Sequence, residues 1–229
     1  MENNWHRARL RLFDLLVPER CASCGAGERI VCASCLATLQ LLCGPLCARC
    51  GASTAWPVAR CAECAGRRVS FVQARAAVSY DDPARTLVAA WKERGRRSLG
   101  RIFAGLVAEV VPCPPVEALA FVPGDRDRSL WRGQNTAEEL AGLLGREWSL
   151  PVLTLLNRTR PVRPQRGLSR PARRANVRNA FAAAAAPATV ALIDDVYTTG
   201  ATVSAAATEL RRAGARTVFV VTFARAARR

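Results

Sequence analysis

The chain has one lysine, Lys92, one histidine, His6, and one methionine in 229 residues. A single histidine close to a terminus reads as a surface residue. That argues against a histidine-ligated metal and against a histidine general base. Aromatic side chains make up 6% of the sequence, so alanine and valine carry much of the 50% that is hydrophobic, as in sheets covered by helices. No apolar run approaches the ~18 residues of a membrane span. The N-terminus has Arg7, Arg9 and Arg11, but its apolar stretch is only Leu15-Leu16-Val17 before Pro18, too short for a secretory signal. The expectation is a cytoplasmic chain without a membrane span. Its length allows one full domain plus a small one, with enough apolar content for a real core.

What is abundant is arginine. The net charge is +16, and every basic side chain besides Lys92 and His6 is an arginine. Guanidinium groups bind phosphate bidentately, so phosphorylated ligands or nucleic acid, single-stranded DNA included, are candidate partners. A genome with GC-rich codons would write arginine for lysine and accounts for the bias equally well.

Ten cysteines without a signal sequence point to metal rather than disulfides. Eight form four C-x-x-C knuckles: Cys21/Cys24, Cys32/Cys35, Cys47/Cys50 and Cys61/Cys64. A knuckle puts two thiolates on one side of a tight turn, and two knuckles close a tetrahedral four-sulfur site. Gly25 and Gly51 each follow a second cysteine, where positive φ is expected. The region therefore offers one or two structural Zn²⁺ sites. Local pairing joins the first knuckle to the second and the third to the fourth; interleaved pairing fits the spacing too. A redox C-x-x-C would need a thioredoxin-like context that is missing, and an iron–sulfur cluster is the other alternative. Cys43 and Cys113 lie off the pattern and are expected to be buried free thiols.

Along the chain, residues 5–17 read as a short amphipathic helix. Residues 69–80 read as a strand, Arg85–Trp91 and Leu99–Val111 as helices, and Ala118–Val122 as a buried strand. A glycine turn with Arg126, Arg128 and Arg132 precedes a helix over Thr136–Trp148, a weak second anion site. Residues 151–156 form another strand candidate. Residues 158–178 are basic and punctuated by Pro161, Pro164 and Pro171, too long for an ordinary connection; they read as a lid or a nucleic-acid arm. Phe181 marks a short strand, Thr217–Phe223 a last one, and Arg225–Arg229 a tail. The fold class is α/β, a mostly parallel sheet with helices on both faces over residues 67–229, preceded by a small cysteine domain over residues 1–66.

The most informative stretch is Val190–Gly214. Val190-Ala191-Leu192-Ile193 is a short apolar run, as in a strand buried on both faces. Asp194 and Asp195 follow at its C-terminal end, the edge at which open α/β sheets bind ligands. Thr198-Thr199-Gly200-Ala201-Thr202 comes next. Val203, Ala206, Ala207 and Leu210 then recur at helical spacing up to Gly214. The start of a helix offers unpaired N–H groups, Gly200 allows close approach, and the three threonines add hydroxyls. Together these make a phosphate cradle. The two acids beside it suit two neighbouring sugar hydroxyls.

This stretch resembles the phosphoribosyl pyrophosphate (PRPP) motif of type I phosphoribosyltransferases. There the acids hold the ribose hydroxyls and the loop holds the 5′-phosphate. The whole chain, over residues 10–225, resembles the ComF family. The features are two four-cysteine ribbons, Lys92-x-Arg94-Gly95-Arg96, the strand end Val122-Pro123, and Arg132-Gly133-x-Asn135. They continue with Gln165, Leu168, Ser169, Arg173, Asn176 and Phe181, and with the PRPP motif. Glu93, Gln134 and Thr136 depart from the family's tyrosine, phenylalanine and glutamine, and Gly124-Asp125 stands where a leucine or similar residue is usual. The resemblance implies a double zinc ribbon joined to a phosphoribosyltransferase domain. It implies PRPP and Mg²⁺ as ligands, Lys92 and Arg132 as catalytic contacts to pyrophosphate, Val122-Pro123 at the pyrophosphate loop, and Gln165 and Arg173 in a hood. The reaction implied transfers ribosyl-5-phosphate to an acceptor. The alternative is a non-catalytic protein handling single-stranded DNA with competence-machinery partners.

Overall fold

The computed structural model describes residues 20–124, 135–159 and 180–227. The predicted N-terminal helix, Arg126, Arg128, Arg132 and Gly133, and most of the basic segment with Gln165 and Arg173 lie outside these residues.

The elements run α1 (Ala33–Ala37), β1 (Gln73–Ser79), α2 (Asp82–Lys92), α3 (Leu99–Val110), β2 (Ala118–Phe121), α4 (Thr136–Glu147), β3 (Val152–Leu153) and β4 (Leu156–Arg158). They end with β5 (Phe181–Ala183), β6 (Thr189–Tyr197), α5 (Ala201–Arg212) and β7 (Thr217–Arg225). Five strands form one sheet in the order β1-β7-β6-β2-β3, and every pairing in it is parallel. The expected α/β fold is therefore present. Side chains alternate across it. Ala191 and Ile193 of β6, with Val221 and Phe223 of β7, face a core shared with α2, α3 and α4. Val190 and Leu192, with Val218 and Val220, face a second core shared with α5 and the later cysteines. Burial on both faces is why these strands read as unbroken apolar runs.

Local signals set the helix boundaries. The Asp81 carboxylate accepts from the Ala84 N–H, and Pro83 sits in the first turn of α2. Asn135 caps α4 by accepting from the Ala137 N–H. Helix α5 buries Val203, Ala206, Ala207 and Leu210, as its spacing requires, and stops before Gly214 at φ +116°.

Four expectations need correction. Strand β6 does not stop at Ile193; it continues through both acids to Tyr197, because β7 runs alongside as far as Arg225 and supplies partners. Arg225 accordingly is a buried strand residue, not part of a tail. The 151–156 strand is split: Val152–Leu153 closes the sheet edge, whereas Leu156 begins a separate antiparallel pair with β5. Cys43 and Cys113 are exposed rather than buried, each in an irregular segment outside the sheet and helices.

Strand order locates the crevice. The connection from β2 leads through α4 to β3 on one side; the connection from β6 leads through α5 to β7 on the other. Neighbouring strands β2 and β6 therefore send their chains in opposite directions. Such a switch point opens a crevice at the carboxyl ends of the strands.

Candidate functional site

The β2–β6 switch point gathers several of the expected residues. Val122 continues the ladder past β2, its N–H donating to the Ile193 carbonyl at 3.0 Å. The Pro123 carbonyl accepts from Arg158 Nε at 2.8 Å, and the Val122 carbonyl from Asn135 Nδ2 at 3.4 Å. Lys92 comes from the last turn of α2 and meets Asp195 of β6 at 2.5 Å, Nζ to Oδ2. The same oxygen accepts from the Thr136 hydroxyl at 2.7 Å. Asp194 turns back on its own strand, Oδ1 accepting from the Asp195 N–H at 2.9 Å.

Burial acts strongly on Asp194 and on Lys92. Burial, then the neighbouring Asp195 charge, pushes the Asp194 carboxyl up to about 7, against the pull of Lys92 and Arg158. For Lys92, burial works against the charged form, but Asp195 and Asp194 outweigh it and raise its pKa. A carboxylate in direct contact, with a second beside it, favours the ammonium more than burial penalises it. Lys92 stays an ammonium, and a cation bound beside Asp194 would draw its carboxyl back down.

Beyond the acids, the loop reaches Gly200 at φ +70°. A Cβ there would collide with the Tyr197 hydroxyl, so conformation and space both require glycine. The Ala201 N–H is directed to Thr199 Oγ1 at 3.3 Å, and α5 begins at Ala201. Thr198 through Thr202 thus stand at a helix N-terminus beside the carboxylates, the arrangement that favours an anion.

The cysteines form two clusters by local pairing: Cys21, Cys24, Cys32 and Cys35, and Cys47, Cys50, Cys61 and Cys64, the sulfurs of each all lying within 4.8 Å of one another. A tetrahedron with ~2.3 Å metal–sulfur bonds has edges of about 3.8 Å. Cys24 and Cys32 lie 3.8 Å apart, Cys47 and Cys64 3.6 Å, Cys50 and Cys61 3.5 Å. Both clusters therefore suit Zn²⁺. Their thiols are also primed. Burial opposes ionisation of Cys47, yet backbone N–H groups of Cys50, Cys61 and Arg49 bring it down to about 6. Burial, then the Cys47 thiol, raises Cys64. A dication relieves that mutual repulsion.

Several contacts here were invisible to sequence reasoning. Arg94 and Arg96 donate to the carbonyls of Ala22 and Arg20, so they brace the first cluster rather than point at the acids. Arg225 is 5% exposed; it donates to the Cys50 carbonyl at 3.0 Å and Glu63 at 2.8 Å, and lies over the Tyr197 ring at 5.2 Å. Arg67 donates to the Thr199 carbonyl. The departure at Thr136 was visible, but its bond to Asp195 depends on α4 packing against β6.

Comparison with known proteins agrees with this picture. The family described as Double zinc ribbon domain matches residues 12–67. Adenine phosphoribosyltransferase from Leishmania tarentolae is similar over 66% of this chain and 78% of that one, at 14% identity and a TM-score of 0.31, too slight a likeness to transfer any feature. Competence protein F of Haemophilus influenzae is 30% identical over 224 residues, 90% of this chain and 97% of that protein. With a relative matched over nearly its full length, and with two four-cysteine clusters ahead of a parallel sheet, the chain belongs to the ComF family.

Proposed function

We propose that the chain binds PRPP at the β2–β6 switch point and transfers its ribosyl-5-phosphate group to an acceptor, releasing pyrophosphate. The observation that carries this reading is the convergence of Asp194, Asp195, Lys92 and Thr136 beside the glycine-led start of α5. In this reading Thr198, Thr199, Gly200, Ala201 and Thr202 hold the 5′-phosphate. Asp194 and Asp195 accept from the two ribose hydroxyls. Lys92, and Arg132 beyond the described residues, balance the charge on the departing pyrophosphate, which leaves with the electrons of the C1–oxygen bond as the acceptor's lone pair forms the new bond to C1. Val122 and Pro123 flank the pyrophosphate, while the hood residues Gln165 and Arg173 lie outside the described residues. The carboxylate pair is a hard-oxygen donor set suited to Mg²⁺, which would neutralise pyrophosphate charge when bound with PRPP. The protein's own part is positioning and charge stabilisation. A division at residues 66/67, into a ribbon unit and a transferase unit, and a cytoplasmic setting accompany this reading.

A second reading rests on the +16 charge and on the relative named for competence: a PRPP-responsive protein that binds single-stranded DNA without turnover, alongside competence proteins. One experiment separates them. The protein is incubated with PRPP, Mg²⁺ and a panel of nucleobases, and pyrophosphate is measured, with Asp194→Asn as the control. Release that disappears in the variant supports transfer. PRPP binding without release, with salt-dependent single-strand binding that survives the substitution, supports the second reading. Absence of PRPP binding by calorimetry would sink both.

A further inference from the structure

The second cysteine cluster does not hang from the domain as a separate ornament. It is joined to the candidate phosphate loop by two short paths. On the first, the Cys50 carbonyl and Sγ accept from Arg225 at 3.0 and 3.6 Å, and the Arg225 guanidinium lies over Tyr197. Tyr197 in turn fills the space beside Gly200. Arg225 stays charged there: burial opposes it, but Glu63 more than compensates. The Tyr197 hydroxyl is held protonated, pushed up to about 12 by burial. On the second path, the Arg67 N–H donates to the Cys64 carbonyl at 3.1 Å, and its guanidinium donates to the Thr199 carbonyl. Ser70 extends that contact to α5, its N–H donating to Ser204 Oγ at 3.3 Å and its hydroxyl meeting that of Thr208 at 2.7 Å.

We infer that the four-sulfur site of Cys47, Cys50, Cys61 and Cys64 is the base on which the Thr198–Thr202 loop is set, so that metal retention there and anion binding at the loop are linked. Arg67, Tyr197 and Arg225 are positioning residues in this arrangement. The physical reason is that both knuckles needed to close the site also place the two arginines. Opening the site frees the turn at Cys50, on which Arg225 rests, and the turn at Cys64, from which Arg67 departs. The Thr199 carbonyl then loses its donor, and the Gly200 backbone loses the wall that fixes it. Linkage is reciprocal: a ligand that orders the loop must strengthen metal retention by the factor by which the metal strengthens ligand binding. Among the described residues, the first cluster meets the site segment through apolar packing of Cys21 on the core and exposed hydrogen bonds of Arg94 and Arg96, with no buried charged group between them, so its coupling is smaller.

The inference rests on the loop binding the phosphate of PRPP, and the test keeps the two separable. The zinc-loaded full-length protein is equilibrated with a zinc-selective chelator, with and without PRPP and excess Mg²⁺. Freed thiols are marked by a brief alkylation pulse and mapped by mass spectrometry. PRPP is expected to tighten zinc retention at Cys47, Cys50, Cys61 and Cys64 about fivefold or more, the lower end of ordinary allosteric coupling. Cys21, Cys24, Cys32 and Cys35 should change far less. Arg67→Ala should keep its zinc but lose most of the protection, and Arg67→Lys should recover part of it. Protection equal at both clusters, or none while calorimetry shows PRPP bound, overturns the inference and leaves the site reading standing. Absence of PRPP binding overturns the site reading and this inference with it.

Discussion

The two cysteine clusters share a sequence pattern and a sulfur geometry, yet they are attached to the protein in different ways. In the first, only Cys21 is buried, joining Val31 and Leu39 on the core of the other sheet face; Cys24 is exposed, and the polar ties are surface hydrogen bonds from Arg94 and Arg96. In the second, Cys47, Cys50 and Cys64 are buried and belong to the core of one sheet face, with a charged arginine donating to the cluster's own carbonyl. Ligand spacing therefore reports that a metal can be held. It does not report what the metal supports, since that depends on which groups around the sulfurs are removed from water.

The largest test of this contrast removes one ligand from each cluster. Cys50→Ser should lower the melting temperature by ~10 °C or more, taking several kcal/mol for an opened structural site and ~2–4 °C per kcal/mol for a chain of this size. Cys24→Ser should cost less than half as much. Scanning calorimetry with zinc content measured on the same samples decides it; equal losses would erase the distinction.

The anchoring arginines come next. Arg225→Ala removes a largely buried ion pair with Glu63 and the hydrogen bond to the Cys50 carbonyl, at a cost of about 3 kcal/mol, the low end for such a pair. Arg94→Ala removes hydrogen bonds at the surface and should stay within ~0.5 kcal/mol. Urea midpoints read both.

A finer comparison uses the knuckle glycines. Gly25 and Gly51 have φ of +75° and +66°, so alanine costs each roughly 1–2 kcal/mol. A Cβ at Gly25 meets nothing within 4 Å, whereas at Gly51 it would lie 2.6 Å from the Ala74 carbonyl oxygen in β1. Gly51→Ala should therefore lose a further ~1–3 kcal/mol through overpacking, measurable as a difference in denaturant midpoint. Equal losses would show that the second ribbon yields as easily as the first.

The smallest effect on stability belongs to the end of β6, beside the loop. Asp194 titrates near 7 in the folded chain, above its ordinary 3.8. The native state thus holds the extra proton between these values. Its contribution to stability is fully present below the unfolded pKa and is lost as pH rises towards 7. Asp194→Asn should flatten that slope, so the variant melts a few degrees higher than the parent at pH 8 while PRPP binding is lost. Melting curves at pH 5 and 8 test the sign; a variant less stable at pH 8 would contradict it.

Much of the scaffold was readable beforehand because local rules govern it. The helix over Ala201–Arg212 follows from apolar spacing and a glycine at its far end, and the knuckles from C-x-x-C and a following glycine. Strand ends were less readable: Asp194 and Asp195 look like a loop until β7 is known to pair beside them. Arg225 looked like a basic tail for the same reason, because nothing within five residues of it reveals Cys50 or Glu63.

The sequence alone determined the elements, the metal-binding thiols and the loop suited to phosphate, since each depends on neighbours a few residues apart, where backbone geometry and side-chain periodicity act. Tertiary structure alone decided that Lys92 and Thr136 share an oxygen of Asp195, and that one cluster is set into the sheet while the other stays at its margin. Those contacts join residues 59 to 175 positions apart, and only packing of the parallel strands, with the burial and charge pairing it imposes, brings them together.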